Sequence, residues 1–377
     1  MLRSRRQLIY AVVMTLTISG VIAACKKKQD NQATPQFERS AMLKDIAGNV
    51  IMPGLDSFVA ATEALSATVQ QWGSTPLTTA DIETAQAQWR RVANAWKVCE
   101  LFNIGKVQET YVYGTVHTWP VNDAFIEQFI SGSSELTEAF IASKGSSSKG
   151  IAGIEYLLFG DGTATAVLDS FSTSARGVRR FSYLKACAAN LNTVAIQVRD
   201  MWAINAGNYY TDFVSATGTG LSGSINMLVN AMIALDEQLA SAKLAHPAGL
   251  PSSEIDKTLA EAWRSDESLA LIKTGVMVLE AAWHGGADTS YTGIDDNLNA
   301  LGAKYDDMRL SDKVEEQFAL VHQSLAGISG TLNSAVKNDR SHIQIASNEL
   351  KALLVLLKTD VVSNLSITLT WSDNDGD

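Results

Sequence analysis

Apolar residues recur at intervals of three and four along most of the chain, and this spacing predicts an all-α protein. The clearest case is the segment 79–102, where the hydroxyls of Thr78 and Thr79 can cap the helix N-terminus. One face of this helix carries Trp89, Val92, Trp96 and Cys99. The same pattern predicts further long helices over 225–243, 254–282 and 311–357, the last broken near Gly327 and Gly330.

A stretch of small, flexible residues divides the chain into two parts. Residues 215–224 read SATGTGLSGS, and each side of this stretch is long enough for several packed helices. We therefore predict two helical bundles packed against each other, over residues 37–219 and 220–377. The alternating pattern at 365–371 predicts a short extended C-terminal segment, which an acidic tail follows.

The N-terminus has the layout of a lipoprotein export signal. Three arginines precede an uncharged apolar stretch at 8–21, and Ala23 and Ala24 then lead directly into Cys25. Cleavage before Cys25 removes the signal peptide 1–24 and leaves a thiol that can carry acyl chains, with residues 25–36 as a polar, flexible tether. We expect a lipid-anchored protein in the periplasm or at the cell surface, with the membrane as its partner. The alternative is an ordinary signal peptide followed by a cysteine.

Charge and cysteine content narrow the possible functions further. The net charge of −10 becomes −13 after loss of the signal, because residues 1–24 hold three arginines and no acids. Such an acidic protein does not attract nucleic acid through its overall field. Beyond Cys25 the chain has only Cys99 and Cys187, which form either one disulfide or two buried free thiols. There is no cysteine and histidine cluster of the kind that binds structural zinc.

Two carboxylates lie on apolar helical surface and are candidates for a functional site. Glu100 follows Trp96 by four residues and shares its face, and Glu155 has apolar neighbours throughout its turn. A buried carboxylate needs a partner or a metal ion, because burial of an unpaired charge costs several kcal/mol. The alternative for either residue is a structural ion pair with Arg90, Arg179, Arg180 or a similar cation. The presence of two such residues favours a shared polar site.

Several motifs resemble the imelysin-like family of bacterial extracytoplasmic proteins. One is the run from Trp89-Arg90 through Trp96 to Glu100-Leu101-Phe102, and a second is Trp119-Pro120-Val121. The most specific is Gly150 to Gly160, which resembles the family's GxHxxE motif with its Tyr-Leu-Leu-Phe-Gly continuation. Weaker matches, including Trp263-Arg264-Ser265, follow in the family's order. The resemblance covers about residues 37–360 and implies two four-helix bundles with a candidate site between them.

One departure from the family bears on catalysis. The resemblance places a histidine at position 152, where it would ligate a metal together with Glu155, and this chain has Ala152 instead. Alanine has no ligand atom, so a metallopeptidase site is incomplete, and no HExxH motif replaces it. His117 lies two residues before Trp119 and can supply an imidazole from another direction. The candidate metal ligands are therefore Glu100, Glu155 and His117.

The resemblance implies a link to bacterial iron acquisition. We expect a binding protein without enzymatic activity that serves iron or another metal-linked ligand, alongside iron-uptake membrane proteins. The expected ligand-binding residues are Trp89, Glu100, Glu155, Ser265 and Ser268, of which the carboxylates would bind iron or another divalent metal. The first alternative is a metallopeptidase of the imelysin type. The second is a surface lipoprotein that binds a polysaccharide or a protein partner.

Overall fold

A computed structural model describes residues 37–370, except 74–75, 161 and 173–175. From Glu38 onwards the described residues form one compact unit. The described chain is about 71% helical, which confirms the all-α prediction. The predicted signal peptide, the lipidated Cys25, the tether and the acidic tail all lie outside the described residues.

Helices before residue 219 form the first packing group. Their bounds are α1 Arg39–Ile46, α2 Met52–Gln70, α3 Thr79–Glu100, α4 Gly105–Gln108, α5 Val112–Val116, α6 Asp123–Ser131, α7 Glu138–Ala142, α8 Gly150–Phe159, α9 Ala164–Ser172, α10 Gly177–Trp202 and α11 Tyr209–Ser215. Helix α2 packs against α3 and α10, and both of these pack against α8. The four helices thus close a ring of contacts around an apolar centre, as in a four-helix bundle.

Helices after residue 219 form a second ring. Their bounds are α12 Ser224–Gln238, α13 Ser268–His284, α14 Ile294–Leu301, α15 Leu310–Gly327, α16 Leu332–Asn338, α17 Arg340–Leu356 and α18 Val362–Leu365. Here α12 packs against α13 and α17, and α15 packs against both of those helices. Among the described residues, the sheet consists of two antiparallel strands of two residues each, Lys304–Tyr305 and Met308–Arg309. The boundary at 219/220 itself stays a prediction, since the described residues from Glu38 onwards form one compact unit.

Short irregular helices complete the described chain. Three π-helical turns span Ala47–Ile51, Leu239–Ala245 and Leu357–Val361, and two 3-10 turns span Ser146–Ser148 and Lys257–Leu259. A π-turn inserts one extra residue and so turns side chains to a different face of the helix. The turn that follows α12 matters most for function, because it directs Lys243 towards the interior.

The start of α3 follows from its sequence. Thr78 accepts a hydrogen bond from the backbone N–H of Asp81 through its hydroxyl, and the Asp81 carboxylate accepts one from the Thr78 backbone N–H at 2.9 Å. This reciprocal cap satisfies two donors that a helix start otherwise leaves unpaired. The apolar face then buries Trp89 and Trp96 completely or nearly so. The last turn of α3 consequently points into the core.

The prediction of one long helix over 254–282 is wrong for its first half. Residues 260–267 are irregular, and α13 begins only at Ser268. Ala262 and Asp266 have positive φ angles of 56° and 60°, which interrupt a right-handed helix. The helix-favouring composition is overridden because side chains elsewhere in the fold bind this segment. We call residues 260–267 the bridging segment.

The described end of the chain is held by side chains. Its predicted extended stretch makes no strand pairing within the described residues. Instead the amide groups of Asn226 and Asn230 donate to the Thr368 carbonyl, and the Asn230 side-chain oxygen accepts from the Thr370 N–H at 2.8 Å. These contacts fix the chain end against α12.

The two cysteines of the helical region, Cys99 and Cys187, are free and buried. Cys99 lies on α3 and Cys187 on α10, each with 1% of its surface exposed. Of the two alternatives from the sequence, the structure has the pair of buried thiols.

No single helix in the described part of the chain has the length and apolar content of a membrane span. Two consecutive helical segments, Ser146–Phe159 and Ala164–Phe171, reach that length and apolar content only when taken together, and they are bent by 102° relative to each other. Ile151, Ile154 and Leu158 of this pair are buried within the protein.

Candidate functional site

The end of α3 supplies a lysine and a carboxylate one turn apart. Lys97 is fully buried, and its ammonium nitrogen lies 2.8 Å from Oε2 of Glu100. The Glu100 side chain is 18% exposed, because it faces a cavity on its other side. Periodicity places Glu100 on the face of Trp96, and the buried Lys97 lies one turn before Glu100, so the core itself contains an ion pair.

Two further elements bring charges to this pair. Lys243, from the π-helical turn, lies 2.9 Å from Oε2 of Glu100 and 3.2 Å from Oε2 of Glu261. Glu261 enters from the bridging segment, is 2% exposed, and also forms an ion pair with Lys97. Nδ1 of His117 lies 3.2 Å from Oε1 of Glu261. We call these five residues the buried charge cluster.

The buried charge cluster combines two carboxylates with two lysines, although burial lowers the pKa of Lys97 against the effect of Glu100 and Glu261. Burial opposes ionisation of Glu100, but the ammonium groups of Lys243 and Lys97 hold its pKa below the ordinary value. The pKa of Glu261 is lowered in the same way against its burial. Burial lowers the pKa of His117 to about 4, so its imidazole is neutral. Two lysines therefore face two carboxylates.

A glycine of the family-like motif positions His117. Gly150 has a φ of +67°, and a Cβ at this position would lie 2.2 Å from the Val116 carbonyl oxygen. Only glycine allows α8 to start this close to the end of α5. His117 follows directly, and its ring stacks on Trp119 with 5.9 Å between the ring centroids. The motif thereby places an imidazole in the cluster although position 152 has none.

Glu155 binds the bridging segment. Its side chain lies on α8, the residue is 4% exposed, and Oε1 accepts hydrogen bonds from the Ser265 N–H and hydroxyl, both at 2.9 Å. Burial raises the pKa of Glu155 to about 7, although these hydrogen bonds act in the opposite direction. The hydroxyl of Ser268 donates to the Glu261 carbonyl. Glu155 and Ser268 together hold the segment that carries Glu261 into the cluster.

The structure brings some of the predicted site residues together and separates others. Glu100 and His117 join the buried charge cluster, whereas Glu155 pairs with Ser265. Trp89 is 1% exposed, and its indole N–H donates to the Ile151 carbonyl at 2.9 Å, which fixes α8 against α3.

The arginine alternatives for Glu155 are engaged elsewhere. Arg90 forms its ion pair with Glu267 at 2.6 Å, and Arg180 forms its pair with Glu127. Arg179 donates to three backbone carbonyls in α6 and in the loop after it.

Sequence reasoning missed three members of the cluster: Lys97, Lys243 and Glu261. Lys97 had a readable signal, since it stands three residues before Glu100 on the same apolar face. Glu261 lies two residues before the family-like Trp263, in a stretch that resembled a helix. Nothing in the sequence near Lys243 marks it, because its role depends on the π-helical turn.

A cavity of about 980 Å³ opens beside Glu100. Its walls come from the chain after α3 and from α4, α11 and α12, with Thr370 at one edge. The polar groups that line it include Glu100, Lys106, Glu109, Asp212, Asn226, Asn230 and Gln238. Lys106 forms an ion pair with Asp212, and Glu100 is paired with Lys97 and Lys243, so Glu109 is the acid that gives the cavity a negative balance. It suits a small, neutral or cationic ligand that forms hydrogen bonds.

The buried charge cluster does not fit a resident divalent metal ion. Ligand atoms of Glu100, His117 and Glu261 lie within 4.8 Å of one another, as in a metal site. Both carboxylates are already neutralised by Lys97 and Lys243, however. A divalent ion would add two uncompensated charges to a balanced, buried group of side chains, which is costly.

Comparisons with known proteins identify one family and two similar folds. The sequence matches the imelysin family over residues 51–357. No curated protein matches it. A candidate iron-regulated protein A precursor from Parabacteroides distasonis ATCC 8503 has a similar structure, with a TM-score of 0.74, 18% identity, and coverage of 89% of this chain and 97% of that one. An imelysin-like protein from Psychrobacter arcticum 273-4 is similar with a TM-score of 0.66, at the same identity and coverage.

Proposed function

The chain belongs to the imelysin family, and from this we propose that it is a non-enzymatic binding component of iron uptake. In this proposal Cys25 carries the lipid that holds it in the cell envelope, outside the cytoplasm, near iron-uptake membrane proteins. The ligand is iron held in a small polar chelate, or another metal-linked ligand, rather than a bare ion.

The cavity beside Glu100 is the observation that supports this proposal most. Its volume of about 980 Å³ is the size of a small-molecule pocket. The amide group of Gln238 can donate and accept hydrogen bonds, and Glu109 favours a ligand without net negative charge. A chelate brings its own metal ligands, so it does not need the carboxylates that the lysines occupy.

The metallopeptidase alternative has less support. Hydrolysis by a zinc enzyme requires protein ligands together with an open position for an activated water. Ala152 offers no ligand, and one oxygen of Glu155 accepts two hydrogen bonds from Ser265.

The test measures binding by isothermal titration calorimetry with three probes: ferrichrome as a neutral chelate, ferric citrate as an anionic one, and ferrous ions alone. We expect ferrichrome to bind more tightly than ferric citrate. Ala234 lines the cavity on α12, so Ala234→Trp should obstruct it and weaken chelate binding at least tenfold. The control Ala300→Trp, at an exposed position of α14, should leave binding unchanged.

Three results would contradict the proposal. The first is the absence of binding by either chelate, and the second is chelate binding that Ala234→Trp leaves intact. The third is metal-dependent cleavage of unfolded casein that disappears in Glu155→Gln, which would establish the peptidase.

A further inference from the structure

A second group of potential metal ligands lies in the other helical ring. Glu280 and His284 are one turn apart on α13, and Glu315 lies on the neighbouring α15. Nε2 of His284 is 3.1 Å from Oε1 of Glu315. One ligand atom from each of the three residues falls within 4.8 Å of the other two. Two carboxylate oxygens and one imidazole nitrogen therefore converge on one point.

Two outer residues orient these ligands. Oδ2 of Asp295, on α14, lies 3.1 Å from Nδ1 of His284 and leaves Nε2 directed at Glu315. Nε2 of His322, two turns after Glu315 on α15, lies 2.9 Å from Oε2 of Glu280. A carboxylate on the far nitrogen of a histidine is the usual support of a metal-ligating imidazole, because it fixes the ring and its tautomer.

A glycine makes the contact between His284 and Asp295 possible. Gly285 ends α13 with a φ of +78°, and a Cβ there would lie 2.1 Å from the Thr292 carbonyl oxygen. The chain can therefore return closely past the helix end and start α14 beside His284. The geometry of this site is built into the backbone.

The charges of this group differ from those of the buried charge cluster. Among the ion pairs of the described chain, Glu280 and Glu315 have only histidine partners. No lysine from the described pairs neutralises them, in contrast to Lys97 and Lys243 in the cluster. The Glu280 side chain is 33% exposed and that of Glu315 is 38% exposed, whereas His284 is 7% exposed. An ion can therefore enter from solvent and meet a fixed, buried imidazole.

We propose that Glu280, His284 and Glu315 bind a divalent first-row transition-metal ion, with Asp295 as the positioning residue of His284. Oxygen and imidazole ligands suit Mn²⁺, Fe²⁺ and Zn²⁺. This site is independent of the chelate cavity and of the family-like motif on α8.

The test measures Mn²⁺ binding to the purified full chain, by electron paramagnetic resonance of the free ion and by calorimetry with Mn²⁺ and Zn²⁺. We expect one ion per chain. Asp295→Asn should weaken binding about 10- to 100-fold, and His284→Asn should abolish it. Because His284 is buried, the half-exposed Glu315→Gln serves as a second variant, and it should weaken binding without loss of helical circular dichroism. His342→Asn, at a side chain 50% exposed, is the matched control and should bind as wild type does.

Clear outcomes would overturn the proposal. One is wild-type protein that binds neither ion at millimolar concentration. Another is binding that survives both His284→Asn and Glu315→Gln. A third is binding that His117→Asn abolishes and His284→Asn leaves intact, which would place the metal in the buried charge cluster. Ala234→Trp tests chelate binding in the cavity alone, whereas His284→Asn and Glu315→Gln test the metal site alone. Failure of one proposal is therefore distinguishable from failure of the other.

Discussion

Replacement of Glu155 by glutamine should change how stability depends on pH. Glutamine keeps the volume and the oxygen that accepts from Ser265, and it removes the ionisable group. In the native protein the carboxyl is 4% exposed and its pKa is raised from 4.5 to about 7 by burial. A shift of this size corresponds to about 3 kcal/mol of differential stability.

The direction follows from proton linkage. The folded-state pKa lies above the unfolded-state value, so the folded protein binds more protons than the unfolded chain between these values. The contribution of the protonated Glu155 carboxyl to the free energy of unfolding is complete below pH 4.5 and is lost as the pH rises through 7. Wild type should therefore lose about 2 to 3 kcal/mol relative to Glu155→Gln between pH 5 and pH 8.

The assay is urea unfolding followed by circular dichroism at pH 5 and pH 8. Wild type, Glu155→Gln and the control Glu83→Gln are compared, the last at an exposed position of α3. Other titrating groups are common to all three proteins and cancel in the differences. A wild-type minus Glu155→Gln difference that stays constant within about 0.5 kcal/mol between the two pH values would refute the burial argument.

Two further predictions concern the buried charge cluster and the membrane anchor. Lys97→Met should lower the free energy of unfolding by about 3 to 5 kcal/mol in urea denaturation, because it leaves carboxylate charge uncompensated in the core. Lys313→Met, which breaks a surface pair with Glu316, should cost no more than about 1 kcal/mol, and equal costs for both variants would contradict the reasoning. Cys25→Ser should abolish lipid labelling and release the protein from membranes; unchanged labelling would disprove the lipoprotein interpretation.

Much of the fold could be predicted from the sequence, because it depends on interactions between residues close together in the chain. The apolar face of α3, its cap at Thr78 and the breaks near Gly327 and Gly330 were all predicted and are present. Each depends on residues within a few turns of one another, where spacing and capping chemistry decide the conformation. The bridging segment escaped prediction, because its conformation depends on Glu155, more than a hundred residues earlier in the chain.

The candidate site was predictable only in part for the same reason. The sequence placed Glu100 and Glu155 in apolar surroundings, and both are indeed largely buried. It could not show that Glu100 meets Lys243 while Glu155 meets Ser265, since periodicity identifies a face and not the partner across it. The Glu280–His284–Glu315 group escaped notice because its two halves belong to separate helices, each with an ordinary polar surface.

The two buried thiols, Cys99 and Cys187, can report local opening of the first helical ring. A thiol reacts with alkylating reagents as the thiolate, and burial raises the pKa of both Cys99 and Cys187. With 1% of each residue exposed, reagents reach them only when α3 or α10 separates from its neighbours. The labelling rate of each cysteine would thus measure how often its helix detaches, without an engineered probe.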